Sequence, residues 1–261
     1  MQCVILAAGE GSRMRPLTTS RPKVMLPLAG KPSLEHLIRN VRTAGIKDII
    51  LVVGYKEQAI RDYFGNGSKF DVTIQYVVQQ KQLGTADALR TAEPFITDKF
   101  LMLNGDMVME ITDLQQLKRK KAPVMAVSTT THPEDFGVVT LSKGKISSLE
   151  EKTPHPKSDT INAGAYIFDI DIFETLKKIS PSSRGEYELT DALMDYIAEE
   201  KLTAFPLSLW IDVGYPWDML TANEHMLAEI EDQRLGTIEE NVIIRGSIIL
   251  EKGAVIKSGT Y

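Results

Sequence analysis

The chain has 261 residues, a formal charge of -5 at pH 7, 43% hydrophobic residues, 25% charged residues and one cysteine. This composition predicts an ordinary globular protein with one large α/β domain and an appendage, or with two modest domains, and it provides no basic surface for nucleic acid. The single cysteine excludes a disulfide framework, and no apolar run forms a signal peptide or approaches the roughly 20 residues of a membrane span. We therefore expect a soluble cytoplasmic enzyme without nucleic-acid or membrane partners.

Predicted strands and helices alternate in the first half of the chain. Apolar, partly β-branched runs predict strands at 1–6, 48–54, 72–78 and 100–103, and helical spacing predicts helices at 33–45, 57–63 and 86–92. Cys3 falls in the first strand, so we expect it to be a buried core residue. This alternation predicts a right-handed, mostly parallel, doubly wound sheet, whose ligands bind at the carboxyl ends of the strands.

The pattern changes after Pro123. Short hairpin-like strands are predicted at 124–130, 137–141, 145–149 and 163–168, followed by helices at 171–178 and 189–200 and a strand at 205–210 that leads to Asp212. A last long helix is predicted from Pro216 to about residue 230, with Pro216 in its first turn. The hairpin region predicts a mixed or antiparallel part of the sheet that covers one side of the site.

The tail repeats with a period of six residues. Three registers share this spacing: Ile243, Ile249 and Val255; Ile244, Leu250 and Ile256; Ser247, Gly253 and Gly259. We interpret residues 1–230 as a catalytic domain and residues 231–261 as the start of a hexapeptide β-helix. The pattern stops in mid-repeat, so we expect a longer parent protein whose β-helix continues and carries an acyltransferase activity that this chain lacks; the alternative is a short docking tail.

A glycine loop follows the first strand, with the sequence Ala7-Ala8-Gly9-Glu10-Gly11-Ser12-Arg13. Glycines allow backbone N–H groups to approach a ligand closely, and nearby cations help to neutralise several negative charges. The loop therefore predicts a site for a nucleoside triphosphate. It is not a Walker loop, because no GK[ST] follows, and it meets the dinucleotide pattern GxGxxG only in part, because Met14 replaces the third glycine.

Over its whole length the loop reads LAAGxGxRxxPLTxxxPK, which resembles the signature of the sugar-1-phosphate nucleotidylyltransferases. The resemblance extends over about Met1 to Asn223 and implies the Rossmann-like, doubly wound mixed α/β sheet of the nucleotide-diphospho-sugar transferases. It implies a magnesium-dependent reaction of UTP or dTTP with glucose 1-phosphate or N-acetylglucosamine 1-phosphate. The segments GTADAL and WIDVGYPWDML and the hexad tail are most similar to the long forms with a carboxyl-terminal β-helix, which implies a homo-oligomer.

The resemblance also implies roles for individual residues. The nucleotide-binding residues are Ala7, Ala8, Gly9, Gly11, Ser12 and Arg13 at the loop, with Gln79, Gly84 and Thr85 reading a uracil or thymine edge. The catalytic residues are Arg13, Lys23, Asp106 and Asp212, of which Asp106 and Asp212 hold Mg²⁺. The sugar-phosphate residues are Gly137, Glu151, Lys152 and Asn162, with Tyr187 and Thr190 as further candidates.

Several alternatives stay open from the sequence. Arg15 and Arg21 are more simply explained as solvated charges, Gln80 and Gln82 as surface residues or support, and Thr190 as the start of a helix. The four histidines, His36, His132, His155 and His225, lack ligand or triad spacing. The competing functions are a nucleotidylyltransferase that uses GTP or CTP, a Rossmann oxidoreductase, and a catalytically silent sugar-nucleotide-binding subunit.

Overall fold

A computed structural model describes residues 1–182, 184–228 and 230–261. The strands in these ranges are β1 (Gln2–Ala7), β2 (Pro27–Leu28), β3 (Lys31–Pro32), β4 (Asp48–Val53), β5 (Thr73–Val78), β6 (Phe100–Asn104), β7 (Met107–Met109), β8 (Val124–Thr129), β9 (Gly137–Ser142), β10 (Lys145–Glu151), β11 (Thr160–Phe168), β12 (Thr203–Pro206), β13 (Trp210–Asp212), β14 (Gln233–Arg234), β15 (Thr237–Ile238), β16 (Ile249–Leu250) and β17 (Val255–Ile256). The α-helices are α1 (Ser33–Thr43), α2 (Glu57–Phe64), α3 (Thr85–Ala92), α4 (Ile111–Leu117), α5 (Ile172–Leu176), α6 (Leu189–Ala198) and α7 (Asp218–Ala228).

The first half of the main sheet is parallel, in the strand order β5-β4-β1-β6. Ile5 in β1 lies between Leu51 of β4 and Leu103 of β6, so the carboxyl ends of these strands lie at one edge of the sheet. The glycine loop follows β1 and Asp106 follows β6 at this edge. The predicted parallel, alternating first half is confirmed.

The second half of the sheet is mostly antiparallel. β11 runs antiparallel to β6, and the order continues through β8, β12, β10 and β9. β9 then returns to β11, where Val138 lies opposite Ile161. This return places Gly137 opposite Glu151 and close to the start of β11. The predicted hairpin region is therefore part of the same sheet and forms one wall of the site.

Helices cover both faces of the sheet. Cys3 and Ile5 point to the face covered by α1, α2 and α4, and Val4 points to the face covered by α3, α5 and α6. This arrangement follows from the alternation of side chains along a strand that is buried on both sides. Cys3 is fully buried, and burial raises the pKa of its thiol well above the ordinary value. The doubly wound architecture and the buried cysteine were both predicted.

Two predicted elements were wrong in their bounds. The single strand predicted at 205–210 is two strands, β12 in the main sheet and β13 in a separate ribbon with β7, because the Ser208 and Leu209 N–H groups between them donate to the Asp113 carboxylate and not to a strand. The last helix begins at Asp218, so Pro216 lies in the preceding turn. Residue 229, within that predicted helix, lies outside the described residues. Helix α4 and strand β7 were not predicted.

The tail pairs in parallel with itself. β14 pairs with β16 and β15 pairs with β17, and Thr237 lies opposite Val255, which is an offset of three hexads. Leu250 is buried, whereas Ile249 is 49% exposed, so one predicted apolar register faces inward and its neighbour faces outward. No described helix combines the length and the hydropathy that crossing a bilayer requires.

Candidate active site

Two adjoining cavities open at the carboxyl ends of β1 and β6, with volumes of about 470 and 260 Å³. This is the size range of small-molecule sites. Leu6, Gly9, Arg13 and Asp106 line both cavities. Apart from the further candidate Tyr187, every residue proposed above for nucleotide, catalysis, metal or sugar phosphate lines one of them. The larger holds Ala8, Gly9, Arg13, Gln79, Gly84, Thr85, Asp106, Gly137, Glu151, Lys152, Asn162 and Asp212, and the smaller adds Ala7, Gly11, Ser12 and Lys23.

The glycine loop presents free backbone donors to the smaller cavity. In the described part of the chain, the N–H groups of residues 9–13 donate to no protein acceptor. Gly11 has a φ of 66° and a Cβ there would lie 2.8 Å from Cβ of Lys23, so glycine is required both for the backbone and for the packing of Lys23. Consecutive free amides beside a lysine and an arginine are suited to bind an anion.

Lys23 and Asp106 form a half-buried ion pair at the junction of the two cavities. The Lys23 side chain is only 10% exposed, and its Nζ donates to Asp106 Oδ2 at 2.7 Å. Burial acts to raise the pKa of Asp106, but the Lys23 charge and hydrogen bond outweigh it and hold that pKa below the ordinary value. The predicted contact of Lys23 with phosphate stays a prediction, and the structure adds its ion pair with Asp106.

Asp212 lies beside this pair. The Val213 N–H donates to the Asp106 carbonyl at 3.0 Å, which joins the β13 end to the β6 end. Within the described residues no group donates to the Asp212 carboxylate. Burial and then the charge of Asp106 raise the pKa of Asp212 to about 7. Asp106 and Asp212 are neighbouring carboxylates, and only Asp106 is paired with a positive charge. Such an arrangement favours a bound cation.

The donor set at this point fits Mg²⁺. The described residues contain no cluster of three or more His, Cys, Asp and Glu side chains placed for a metal. A cation here would therefore take its protein ligands from Asp106 and Asp212 alone. Mg²⁺ commonly uses one or two carboxylates and completes its shell with substrate phosphates and water.

The part of the larger cavity next to the start of α3 contains Gln79, which is 4% exposed. Its Nε2 donates to the Gly84 carbonyl at 3.1 Å and to Asp87 Oδ2 at 2.8 Å. Because both partners are acceptors, this end of the amide must be the NH₂ group, which leaves Oε1 as the remaining polar atom. Gln79 therefore offers an acceptor to a ligand.

The part of the larger cavity formed by β9, β10 and β11 contains a second set of polar groups. The Tyr166 hydroxyl lies 2.6 Å from Nδ2 and 2.8 Å from Oδ1 of Asn162, which orients that amide. A Cβ on Gly137 would lie 3.0 Å from Glu151 Oε2, so glycine leaves room for the carboxylate. Burial raises the pKa of Glu151 above its ordinary value. Lys152 is exposed at the cavity rim, with a φ of 48°.

Some cavity residues were missed by the sequence analysis. Trp210 lines the larger cavity, and its Nε1 donates to the Ala163 carbonyl at 2.9 Å. The strand period could have found it, since it lies two residues before Asp212 and so on the same strand face. Arg184 and Glu188 line the larger cavity too, and Arg184 donates to Glu188 Oε1 at 2.7 Å. The two residues are four apart in the sequence, but that spacing gives no sign that they line a cavity.

The remaining candidates divide between the surface and the larger cavity. Arg15 pairs with Glu10 on the surface, and Arg21 and Gln80 are exposed. Tyr187 lies behind the wall, where its N–H donates to the Leu83 carbonyl at 2.7 Å, whereas Thr190 does line the larger cavity. Gln82 lines it too, with Nε2 at 3.5 Å from the Ala8 carbonyl. His36, His132, His155 and His225 contact backbone, acidic side chains or solvent outside both cavities.

Comparison with known proteins agrees with this site. A family model described as "Nucleotidyl transferase" matches residues 2–229. The chain is 46% identical over 98% of its length to the bifunctional protein GlmU of Methanocaldococcus jannaschii, and 36% identical over 99% of its length to a glucose-1-phosphate thymidylyltransferase of Streptomyces griseus, of which it covers 75%. A crystal structure from Bacillus anthracis assigned as a glucose-1-phosphate thymidylyltransferase, in complex with a sucrose, superposes with a TM-score of 0.80 at 30% identity, covering 90% of this chain and 98% of that one.

The chain spans 61% of the length of the Methanocaldococcus protein. The family match covers most of the chain, and the resemblance and the fold class predicted from the sequence are confirmed. The chain belongs to the nucleotidyl transferase family, and its relatives in that family include sugar-1-phosphate nucleotidylyltransferases.

Proposed function

We propose that this chain condenses UTP or dTTP with glucose 1-phosphate or N-acetylglucosamine 1-phosphate, giving a nucleotide sugar and pyrophosphate with Mg²⁺ as cofactor. The observation that carries the proposal is the junction of the two cavities. There the free amides of the glycine loop, the Lys23–Asp106 pair and the unpaired Asp212 carboxylate face one space. A triphosphate needs amides and cations, and its metal needs carboxylates, at adjacent points.

The proposed reaction is a direct displacement. An oxygen of the sugar 1-phosphate attacks the α-phosphorus, and the new O–P bond forms as the bond between the α-phosphorus and the bridging oxygen of pyrophosphate breaks. No covalent enzyme intermediate is needed, so the protein contributes positioning and electrostatic stabilisation. The loop amides and Arg13 hold the leaving phosphates, and Lys152 at the cavity rim pairs with the incoming sugar phosphate.

Lys23 and the two aspartates lie where they could act together in the proposed reaction. The Lys23 Nζ donates to Asp106 Oδ2 at 2.7 Å, and from this position beside the glycine loop it would also contact an oxygen of the α-phosphate. Asp106 and Asp212 would hold Mg²⁺, which would neutralise the charge that develops on the departing pyrophosphate.

The orientation of Gln79 supports a uracil or thymine base. Its NH₂ group is held by Gly84 and Asp87, so only its carbonyl oxygen is offered to the base. The N3 atom of uracil or thymine carries a hydrogen and can donate to this oxygen, whereas N3 of cytosine is an acceptor and only the N4 amino group of cytosine donates. The base assignment therefore requires that N3 is the atom facing Gln79, and CTP is included in the test below. GTP remains the second candidate, because N1 of guanine also donates.

The part of the larger cavity formed by β9, β10 and β11 supports a hexose 1-phosphate. Glu151 and Asn162 offer acceptors and donors to ring substituents, and Trp210 adds an apolar wall with Phe136, whose ring centroid lies 5.2 Å away. Sugars commonly present both hydroxyl groups and an apolar ring face to such a set. A free hydroxyl and an acetamido group at the same ring position are both compatible with these walls.

The experiment is a matrix of pyrophosphate-release rates for UTP, dTTP, CTP, GTP and ATP against the two sugar phosphates, with Mg²⁺ or EDTA. We expect release with UTP or dTTP only in Mg²⁺.

Replacing Gln79 by Ala removes the acceptor and reduces kcat/KM for these nucleotides by about tenfold, the effect of one lost hydrogen bond of ~1.4 kcal/mol. Gln80→Ala is the matched control, since Gln80 is exposed. Equal rates with CTP contradict the base assignment, and no release with any pair revives the silent subunit.

We also propose that the tail begins a hexapeptide β-helix that continues in a longer parent. The parallel pairing of β15 with β17 at three hexads supports this, as do relatives named bifunctional. The acyltransferase activity of such a parent, the homo-oligomeric state, the cytoplasmic location and the boundary between 1–230 and 231–261 stay predictions.

A further inference from the structure

Two stacked aromatic rings lie behind Arg13. The guanidinium carbon of Arg13 lies 4.7 Å from the ring centroid of Tyr215. The Tyr215 ring also stacks on Trp217, with centroids 4.7 Å apart and planes 8° from parallel. In the described part of the chain neither ring lines the two cavities, so the stack supports Arg13 from outside the site.

The Tyr215 backbone is fixed by the start of α7. The Tyr215 N–H donates to Asp218 Oδ2 at 2.6 Å, and the Asp218 N–H donates back to the Tyr215 carbonyl at 3.1 Å. Pro216 lies between them and has a restricted φ. The ring is therefore anchored to the β13–α7 turn, which also carries Asp212, and not to the glycine loop that carries Arg13.

Arg13 needs such support. It lies in a short turn on the exposed side of the glycine loop, and a free arginine side chain samples many rotamers that must be lost when it binds phosphate. A guanidinium group lying over an aromatic face keeps its charge and its N–H donors while its plane is held. Although partial burial lowers the pKa of Arg13, the neighbouring Tyr215, Asp212 and Asp106 raise it overall, so the guanidinium group stays protonated.

We propose that Tyr215, backed by Trp217, is a positioning residue that holds the Arg13 guanidinium group towards the phosphates of the bound nucleotide. The proposal rests on the proposed function for the identity of the ligand. Because one turn carries both Tyr215 and Asp212, it sets the position of the phosphate-binding arginine relative to the carboxylates. We assign this role to the ring face, over which the guanidinium carbon lies, whereas a hydrogen bond with the Tyr215 hydroxyl contributes to the raised pKa of Arg13.

The test compares Tyr215→Ala and Tyr215→Phe with a matched control elsewhere. Arg61 lies 4.6 Å from the Tyr76 ring centroid, the same kind of contact far from the cavities, so Tyr76→Ala controls for the loss of one such pair. We expect Tyr215→Ala to raise KM for the nucleotide about tenfold, equivalent to ~1.4 kcal/mol. KM for the sugar phosphate should stay within about twofold, and Tyr215→Phe and Tyr76→Ala should resemble the wild type.

A second readout does not depend on turnover. Titration calorimetry with inorganic tripolyphosphate should give about tenfold weaker binding for Tyr215→Ala and wild-type binding for Tyr215→Phe, with thermal unfolding to confirm that both variants fold. The proposal is overturned if Tyr215→Ala changes neither the KM for the nucleotide nor the binding of tripolyphosphate. It is also overturned if Tyr215→Phe is as defective as Tyr215→Ala, or if the wild type does not bind tripolyphosphate. Tripolyphosphate binding that depends on Tyr215 in a protein without pyrophosphate release supports the positioning role and rejects only the proposed reaction.

Discussion

The two ends of the ribbon formed by β7 and β13 each lie beside an aspartate, and the two ends differ. At the end beyond Met109 and Trp210, Asp113 of α4 is 5% exposed. Its Oδ2 accepts hydrogen bonds from the Ser208 N–H at 2.6 Å, the Ser208 hydroxyl at 2.8 Å and the Leu209 N–H at 3.4 Å. We call this the closed end.

At the other end, Asp212 lies opposite Met107, next to Asp106 and the cavities. Among the described residues no donor reaches the Asp212 carboxylate, and its pKa is raised to about 7. We call this the open end. Buried polar groups are normally satisfied, so the closed end serves the fold, whereas an unsatisfied carboxylate in a cavity indicates a ligand.

The largest expected effect comes from removing the paired charge at the open end. Asp106→Asn removes the carboxylate that holds Lys23 and one of the two proposed metal ligands. We expect kcat for pyrophosphate release to fall about 1000-fold, because electrostatic stabilisation of the transition state is lost. The exposed Asp98, changed to Asn, is the control. A loss below tenfold would remove the functional distinction between the two ends.

A smaller effect is expected from crowding the open end. A Cβ on Gly214 would lie 2.7 Å from Asp212 Oδ2, so Gly214→Ala should displace the carboxylate without removing it. We expect kcat to fall by about 10- to 100-fold, the effect of misplacing a catalytic group by a fraction of an ångström to 1 Å. Steady-state kinetics and a crystal structure of the variant measure both parts. Full activity with a shifted Asp212 would show that its position is not critical.

The smallest effect on turnover is expected at the closed end. Asp113→Ala leaves the Ser208 and Leu209 donors without their acceptor. The free energy of unfolding should fall by about 1–3 kcal/mol, while kcat stays within about twofold of wild type. Urea denaturation and pyrophosphate release test the two statements. Normal stability combined with a large loss of turnover would reverse the roles assigned to the ends.

The same ribbon marks what the sequence could predict. Strands β1 and β4 and helix α1 were predicted because their apolar periodicity is local. The ribbon was missed because β7 and β13 are three residues each and are defined by pairing between segments far apart in the chain, such as Met107 with Asp212. Short strands of this kind leave no periodic pattern to detect.

The residues of the candidate site were predicted more completely than the ribbon that supports them. The family signature identified the residues that line the two cavities, including Asp106 and Asp212. It did not identify Tyr215 behind Arg13 or the engagement of Asp113, because these contacts depend on how distant segments pack. Resemblance therefore located residues that line the cavities, and the structure adds the contacts behind them that the proposed positioning and folding roles rest on.

The most direct measurement compares Asp212→Asn with wild type for magnesium-dependent pyrophosphate release and for thermal unfolding in the absence of metal. We expect turnover to fall about 1000-fold while the melting temperature stays equal or rises, because removing this charge relieves its repulsion with Asp106. Retained turnover, or lost turnover that follows from unfolding, would contradict the assignment of the open end as the metal-binding end of the ribbon.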